Sequence, residues 1–326
     1  MNIRQYCSAK RMSFMNRKDK KFILVSLLVI VFFLIFIFIV RPKFFSAKNI
    51  SSILIQSSGI AIMAAGQIYV MVSGGIDLSI PSVMMLSGCI GALVIQSSGS
   101  ILLGICSILA VSTLAGLING LSVAKLKINA FVATMITMLI ANGLSLKVTN
   151  SKSIPLPQEF KELFGKYYGP FHANIVVMII CLIVLQFLLT KTKFGRYIFA
   201  IGTNEKSAYA CGIPADRVKI KVFLISGVLS GIAAIALTAR IGSSSLSLAS
   251  DSTSLDVIAA AIIGGASIKG GVGTAVGAFI GAVTINALSN LLVLFGMDYY
   301  TIQIVKGLVF IFITYFDTIR TKVRRA

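Results

Sequence analysis

The chain has 326 residues, of which 57% are hydrophobic and 12% charged, with a formal net charge of +20 and a mean hydropathy of +0.95. A soluble domain carries about twice that charged fraction, so composition excludes a soluble globular protein. The basic excess does not indicate nucleic acid, because Lys and Arg sit in short segments between apolar runs, the pattern that orients membrane proteins.

Residues 1–21 read as a basic tail. The first long apolar run, Phe22 to Val40, has 19 residues without a charge, close to the ~20 that cross a bilayer as a helix. Val40-Arg41-Pro42 offers no small-residue cleavage site, which argues against a cleaved signal peptide. Hydropathy predicts nine further spans, at 52–72, 80–97, 101–123, 129–147, 173–190, 221–239, 255–268, 276–295 and 299–316. The eighth is short and bounded by glycine, as a broken or partial crossing would be. The predicted fold is therefore all-α and polytopic, with about ten transmembrane helices. A membrane domain over 22–317 lies between the tail 1–21 and a second basic tail, 318–326.

With the N-terminus inside, the inner segments carry 21 Lys and Arg and the outer loops 8, while Lys306 lies within the last span. That bias predicts cytoplasmic termini. Two connections are long. The outer one, 148–172, contains Pro155, Pro157, Gly169 and Pro170 and reads as irregular. In the inner one, 191–221, Thr203-Asn204-Glu205 reads as a helix start, and Gly212 with Pro214 beyond it as a stop. Residues 204–211 are thus a short helix, either simply solvated or docked on a partner.

An internal repeat is visible. Ile118-Asn119-Gly120-Leu121-Ser122 matches Ile285-Asn286-Ala287-Leu288-Ser289, and Asp77, opening the third span, has a counterpart in Asp256, opening the eighth. Spans 2–5 and 7–10 then run in opposite senses. Inverted repeats of this kind build a midplane pathway from both halves of a transporter.

Ionisable groups inside a bilayer cost roughly 2.5–3.5 kcal/mol on insertion scales. None of the ten carboxylates falls in the middle of a predicted span. Asp77 and Asp256, at helix starts, either cap free N–H groups or shape a pathway at broken helices. Lys306 either snorkels or pairs with a carboxylate. Asn119 and Asn286 either bond a neighbouring helix or meet a solute. The glycine-rich stretch Gly264–Gly273 lacks the Gly-Lys-Ser/Thr of a phosphate loop. His172 is the single histidine, and the five cysteines, Cys7, Cys89, Cys106, Cys181 and Cys211, show no metal-ligand spacing. No catalytic constellation, metal site or cofactor is expected. No nucleotide-binding domain is read, so any use of ATP must come from another chain.

Ser73-Gly74-Gly75-Ile76-Asp77-Leu78-Ser79 resembles the Gly-Ile-Asp-Leu-Ser signature of ribose-type permeases. The stretch Gly195-Arg196 to Asn204-Glu205, followed by Gly212-Ile213, is similar to their cytoplasmic motif. Leu255-Asp256-Val257-Ile258-Ala259-Ala260 with Gly264-Gly265 is similar to a third motif, and Asn129-Ala130-Phe131-Val132-Ala133-Thr134 and Tyr299-Tyr300 agree as well. From about residue 44 the chain thus resembles the ribose, autoinducer-2 and simple-sugar branch of the ABC-importer permease superfamily that also serves branched-chain amino acids. It departs at Ser254, where that family often has Glu, and at Pro81 and Thr203, where it often has Gly.

The resemblance implies a non-catalytic, ten-span permease with inverted repeats in the bacterial cytoplasmic (inner) membrane, translocating a monosaccharide such as ribose. It implies as partners a cytoplasmic ATPase subunit with two nucleotide-binding domains, an extracytoplasmic sugar-binding protein and a second permease copy, identical or paralogous. It makes 204–211 a docking helix, with Asn204, Glu205, Lys206, Ala208, Gly212 and Ile213 as coupling candidates. The paired placement of Asp77 and Asp256 at equivalent starts in the two inverted halves makes them, with Asn119, Phe131 and Asn286, the candidates along the pathway. The alternatives are an ABC permease for nucleosides or branched-chain amino acids, or an ion-coupled secondary transporter. The latter needs titratable groups or an ion cage at mid-depth. A membrane-embedded enzyme is disfavoured by the lack of His and of paired acids.

Overall fold

The computed structural model describes residues 41–168, 171–249 and 251–323. The tail 1–21, the apolar run 22–40 and the last three residues lie outside the described residues. Residues 41–51 belong to one unit, with a 3-10 turn at Pro42–Phe45 in which Asn49 Nδ2 donates to the Phe44 carbonyl at 2.9 Å. The chain from Ser52 onward forms the other.

The helices in chain order are α1 (Ala47–Val72), α2 (Ile80–Ser98), α3 (Ile101–Ala124), α4 (Ala130–Thr149), α5 (Gln158–Phe164), α6 (Ala173–Lys191), α7 (Lys193–Thr203), α8 (Glu205–Ala210), α9 (Ala215–Ile241), α10 (Asp251–Ile263), α11 (Ala275–Leu294) and α12 (Tyr299–Val323). Two short antiparallel pairs complete the described elements: β1 (Ile154–Pro155) with β4 (Ser243–Ser244), and β2 (Tyr167–Tyr168) with β3 (Phe171–His172). Among the described residues seven helices, α1, α2, α3, α4, α6, α9 and α11, are long and apolar enough to cross a membrane. The 13 residues of α10 reach about 20 Å, short of the ~30 Å hydrocarbon core. That helix stops at Ile263, so residues 264–268 of the predicted eighth span are not helical. The last helix, α12, continues to Val323, past the boundary expected at 317.

Helix starts follow their caps. The side chains of Ser100, Asn129, His172 and Thr274 accept the N–H groups of Leu103, Phe131, Asn174 and Gly277, filling donors that a helix N-terminus leaves open. From Ala61 to Val72 every residue of α1 is buried, as expected of a helix that is apolar on all sides. The Tyr69 hydroxyl on α1 donates to the Leu185 carbonyl of α6 at 2.6 Å. The most extensive helix pairing is α3 against α9. A β-carbon on Gly116 would lie 2.5 Å from the Phe223 carbonyl oxygen and 3.0 Å from Gly227 Cα. Small residues four apart on both helices, Ser112, Gly116 and Gly120 against Gly227 and Gly231, let the backbones meet. Helices α10 and α11 meet in the same way through Gly264, Gly277 and Gly281.

The connections collect at two ends. At one, Gly271 N donates to the Val72 carbonyl at 2.9 Å, and Lys127 after α3 pairs with Asp216 at the start of α9. At the other, β1 pairs with β4, Leu156 N donates to the Gly242 carbonyl at 3.0 Å, and Phe160 packs with Ile95 and Ala239. Successive connections from 73–79 to 264–274 alternate between these ends, as serial crossings require.

Two long connections are more ordered than expected. Segment 191–221 is not a loop with one short helix. Thr192 Oγ1 accepts Gly195 N at 3.2 Å and starts α7, whose Ile198 and Ile201 are buried, and α9 begins at Ala215, six residues earlier than the predicted seventh span. Segment 148–172 holds α5 and the paired strands β2 and β3 rather than being irregular throughout.

Candidate functional site

After α1 the chain does not turn directly into α2. Segment 73–79 runs back beside α1, so that Asp77 N donates to Gln67 Oε1 at 3.3 Å. Gln67 stands five residues before the end of α1, about 8 Å along its axis. Asp77 Oδ1 accepts from Ser79 N at 2.9 Å and from Ser79 Oγ at 2.6 Å, and its Oδ2 accepts from Ser226 Oγ of α9 at 3.0 Å. The carboxylate therefore closes an Asx-type turn ahead of α2 and ties that turn to α9. Asn119 Nδ2 of α3 donates to Ser79 Oγ at 2.8 Å, and Thr137 Oγ1 of α4 donates to Asn119 Oδ1 at 2.6 Å. Thr134 Oγ1 accepts Leu78 N at 3.1 Å, Ser230 Oγ donates to the Ile80 carbonyl at 3.1 Å, and Ser254 Oγ of α10 donates to the Leu78 carbonyl at 3.2 Å. Six helices thus converge on one buried polar segment. Within it, Gln67 Nε2 is buried without a partner.

Of the five pathway candidates, Asp77 and Asn119 are brought together through Ser79. Asp256 requires a correction. Because α10 begins at Asp251, Asp256 lies in its second turn and not at its start, whereas Asp77 precedes its helix by three residues, so the two are not equivalent in register. Asp256 Oδ2 is 2.9 Å from Lys306 Nζ of α12, which settles how Lys306 is held, and Asp256 Oδ1 is buried without a partner. Phe131 sits exposed in the first turn of α4. Asn286 Nδ2 donates to the Ala282 carbonyl of its own helix at 2.9 Å. Neither hydrogen-bonds into the Asp77 network. Ser79 belongs to the Gly75–Ser79 signature, whereas Gln67, Ser226 and Thr137 lie in no motif read from the sequence. The available signal was a polar residue inside an apolar run, which Ser and Thr satisfy too often to be informative.

The coupling candidates gather on and around α8. Asn204 Oδ1 caps it by accepting Ser207 N at 3.1 Å, and Glu205 pairs with Lys219 of α9 at 2.7 Å. Gly212 ends it at φ +76° in open space, a left-handed exit that suits glycine. Ile213 packs, partly buried, against the core. Ala208 had been expected to face a partner, but it is 3% exposed within the protein's own core. The outward residues are Lys206, Ser207, Tyr209, Ala210 and Cys211. The Tyr209 hydroxyl donates to Asp216, and Lys127 Nζ lies 2.7 Å from the same carboxylate. The hydrogen bond to Asp216 raises the Lys127 ammonium above its ordinary range and likewise raises the Tyr209 phenol. Beside them a polar cavity of about 290 Å³ is bounded by Ser73, Gly75, Asn129, Glu205 and Lys219. Among the described residues no three His, Cys, Asp or Glu side chains cluster as a metal site would require.

Seven membrane-length apolar helices among the described residues, one of them buried on nearly every side, with a re-entrant polar segment in their midst, define a polytopic α-helical membrane protein. The profile of the family described as "Branched-chain amino acid transport system / permease component" matches residues 49–314. The chain is 37% identical to the ribose import permease protein RbsC of Haemophilus influenzae over 289 residues, 87% of this chain and 89% of that one. It is 35% identical to RbsC of Escherichia coli K12 over 290 residues, 87% and 90% of the two chains. It is 34% identical to the L-arabinose transport system permease protein AraH of the same strain over 302 residues, 91% and 92%. No solved structure matches. The chain belongs to this permease family, as its motifs implied. A permease component is a non-catalytic membrane subunit.

Proposed function

We propose that this chain is the membrane-spanning subunit of an ABC importer for a monosaccharide of the ribose or arabinose type. The observation that carries the reading is its similarity, over about nine-tenths of both chains, to ribose and arabinose permeases. In this reading 22–40 is the first of ten spans, α10 is a partial crossing, and spans 2–5 and 7–10 form the inverted halves. Both termini and the α7–α8 connection lie in the cytoplasm. A two-domain ATPase docks on the exposed face of α8, a sugar-binding protein docks on the opposite end, and a second permease copy completes the pathway. The solute passes near the re-entrant segment, whose buried Asp77, Ser79 and Asn119 hold one another and fix the shape of the bundle there. ATP and the loaded binding protein each favour a different state of the pathway, which is what a ligand-driven switch needs.

The ion-coupled alternative gains one point, because the re-entrant segment carries Asp77 to the depth of Gln67. Yet that carboxylate is held by three donors and Asp256 by Lys306, an arrangement built for fixed geometry. The deciding experiment is uptake of labelled D-ribose and L-arabinose by proteoliposomes containing the assembled complex. ATP-dependent accumulation that survives collapse of the ion gradients is expected. Uptake that follows an ion gradient without ATP, or that prefers leucine or a nucleoside, overturns the reading.

A further inference from the structure

The reading above has an ATPase acting on α8, but the buried polar segment lies elsewhere in the bundle. A chain of contacts joins them. The Tyr209 hydroxyl of α8 and Lys127 of the α3–α4 turn share the Asp216 carboxylate, and Lys127 Nζ also lies 3.4 Å from the Tyr209 oxygen and 5.8 Å from its ring centre. Lys127 stands at φ +56°, a left-handed conformation that residues other than glycine adopt rarely. Two residues later Asn129 caps α4, and Thr134 Oγ1 in that helix's second turn accepts Leu78 N at 3.1 Å, with the Ile76 carbonyl 3.3 Å away. Those two residues flank Asp77.

We infer that Lys127 is a positioning residue that transmits the movement of α8, through Asp216 and Tyr209, to α4 and the re-entrant segment around Asp77. The inference rests on α8 being the ATPase-docking element. The latch is suited to being made and broken in each cycle. Lys127 is 61% and Asp216 26% exposed, and ion pairs so placed hold only weakly. By contrast, the contacts beyond the turn, from Thr134 to Asp77, are buried or half-buried, so movement of the turn is passed on and not absorbed. Lys125 Nζ, 3.9 Å from Asp216, makes a longer pair with the same carboxylate but has no contact with Tyr209 among those that hold the latch.

The test compares Lys127→Met, Lys127→Arg and Ala210→Glu in the reconstituted complex, reading ATPase co-purification, ATP hydrolysis and sugar moved per ATP. Each change at position 127 keeps a β-carbon and so leaves the backbone demand of the turn unaltered. In Lys127→Met the complex should assemble and hydrolyse ATP, while sugar moved per ATP falls roughly ten-fold, within the usual range of coupling between sites. Lys127→Arg should restore it, which a merely structural role would not require. Normal transport per ATP in Lys127→Met, with Ala210→Glu losing the ATPase, overturns the latch and leaves α8 as the docking element. Retained ATPase binding and uptake in Ala210→Glu overturns the docking reading and the latch with it.

Discussion

Asp77 accepts two hydrogen bonds from Ser79 and one from Ser226, all inside the bundle. Asp77→Asn keeps Oδ1 as an acceptor, and the Ser226 hydroxyl can reverse to accept from the new amide, so membrane expression and thermal midpoint in detergent should stay near wild type. Asp77→Leu strands an N–H and two hydroxyls in a buried setting, at about 1–3 kcal/mol for each group left unsatisfied. Its thermal midpoint should drop by several degrees or expression should fail. A leucine variant as stable as wild type would show that the carboxylate does not hold the turn. His172 makes a pH-dependent contribution at the other end. Burial, and then the nearby Arg240, hold its pKa below the ordinary value of 6.5, and its Nδ1 accepts Asn174 N at 3.2 Å as the cap of α6. The folded state therefore favours the neutral ring. Its contribution is fully present above the unfolded pKa and is lost as pH falls through the folded one, because the unfolded chain takes up the proton first. Thermal midpoints should decline as pH is lowered from about 8 to about 5, and His172→Asn, which can still cap, should show a shallower decline.

At the scale of elements, what was legible in the sequence depended on whether the signal was local. The start and stop of α8 were readable because Asn204 and Gly212 act within three residues of themselves. The membrane-length helices were readable because bilayer thickness fixes their length. Helix α7 was missed because eleven residues with two buried isoleucines and a mixed polar face resemble a loop motif until the core they pack against is known. The inward facing of Ala208 was missed for the same reason: a small side chain on a short helix carries no mark of which face is covered. The start of α10 was misplaced because Asp251 and Asp256 are both plausible openings and only the fold distinguishes them. Close approach of α3 and α9, by contrast, leaves its trace in glycines four apart. Gly116→Val would push a β-carbon against the Phe223 carbonyl, and overpacking of this kind costs about 1–3 kcal/mol. It should lower the thermal midpoint of the purified protein, whereas Gly143→Val, on α4 with open space around it, should lower it far less. Equal effects at the two positions would mean that the α3–α9 contact is not close in the membrane.

For the whole molecule, the alternation of connections between two ends is a property of the fold, whereas the assignment of ends to sides of the membrane rests on charge. Lys127, Lys191, Lys193, Arg196, Lys206 and Lys219 collect toward the end that holds the α3–α4 turn, α7 and α8, and the positive-inside rule predicts that this end faces the cytoplasm. The other end holds 148–172, which carries Lys152, Lys161 and Lys166 but also Glu159 and Glu162. The two sides are thus separated by a bias in basic residues and not by a complete segregation, and a labelling experiment can reverse the assignment. Cys106 and Cys211 are exposed, so native cysteines are first replaced by serine or alanine and single cysteines introduced at Lys206 and Lys152. Both positions are exposed and lie outside the membrane-length helices, so neither change should disturb packing. In intact cells an impermeant maleimide should modify the cysteine replacing Lys152 and spare the one replacing Lys206, and permeabilisation should expose the latter. Labelling of position 206 in intact cells would place α8 outside. No cytoplasmic ATPase could then reach it, and both the docking role of α8 and the Lys127 latch would fall together, while the family assignment and the buried network around Asp77 would stand.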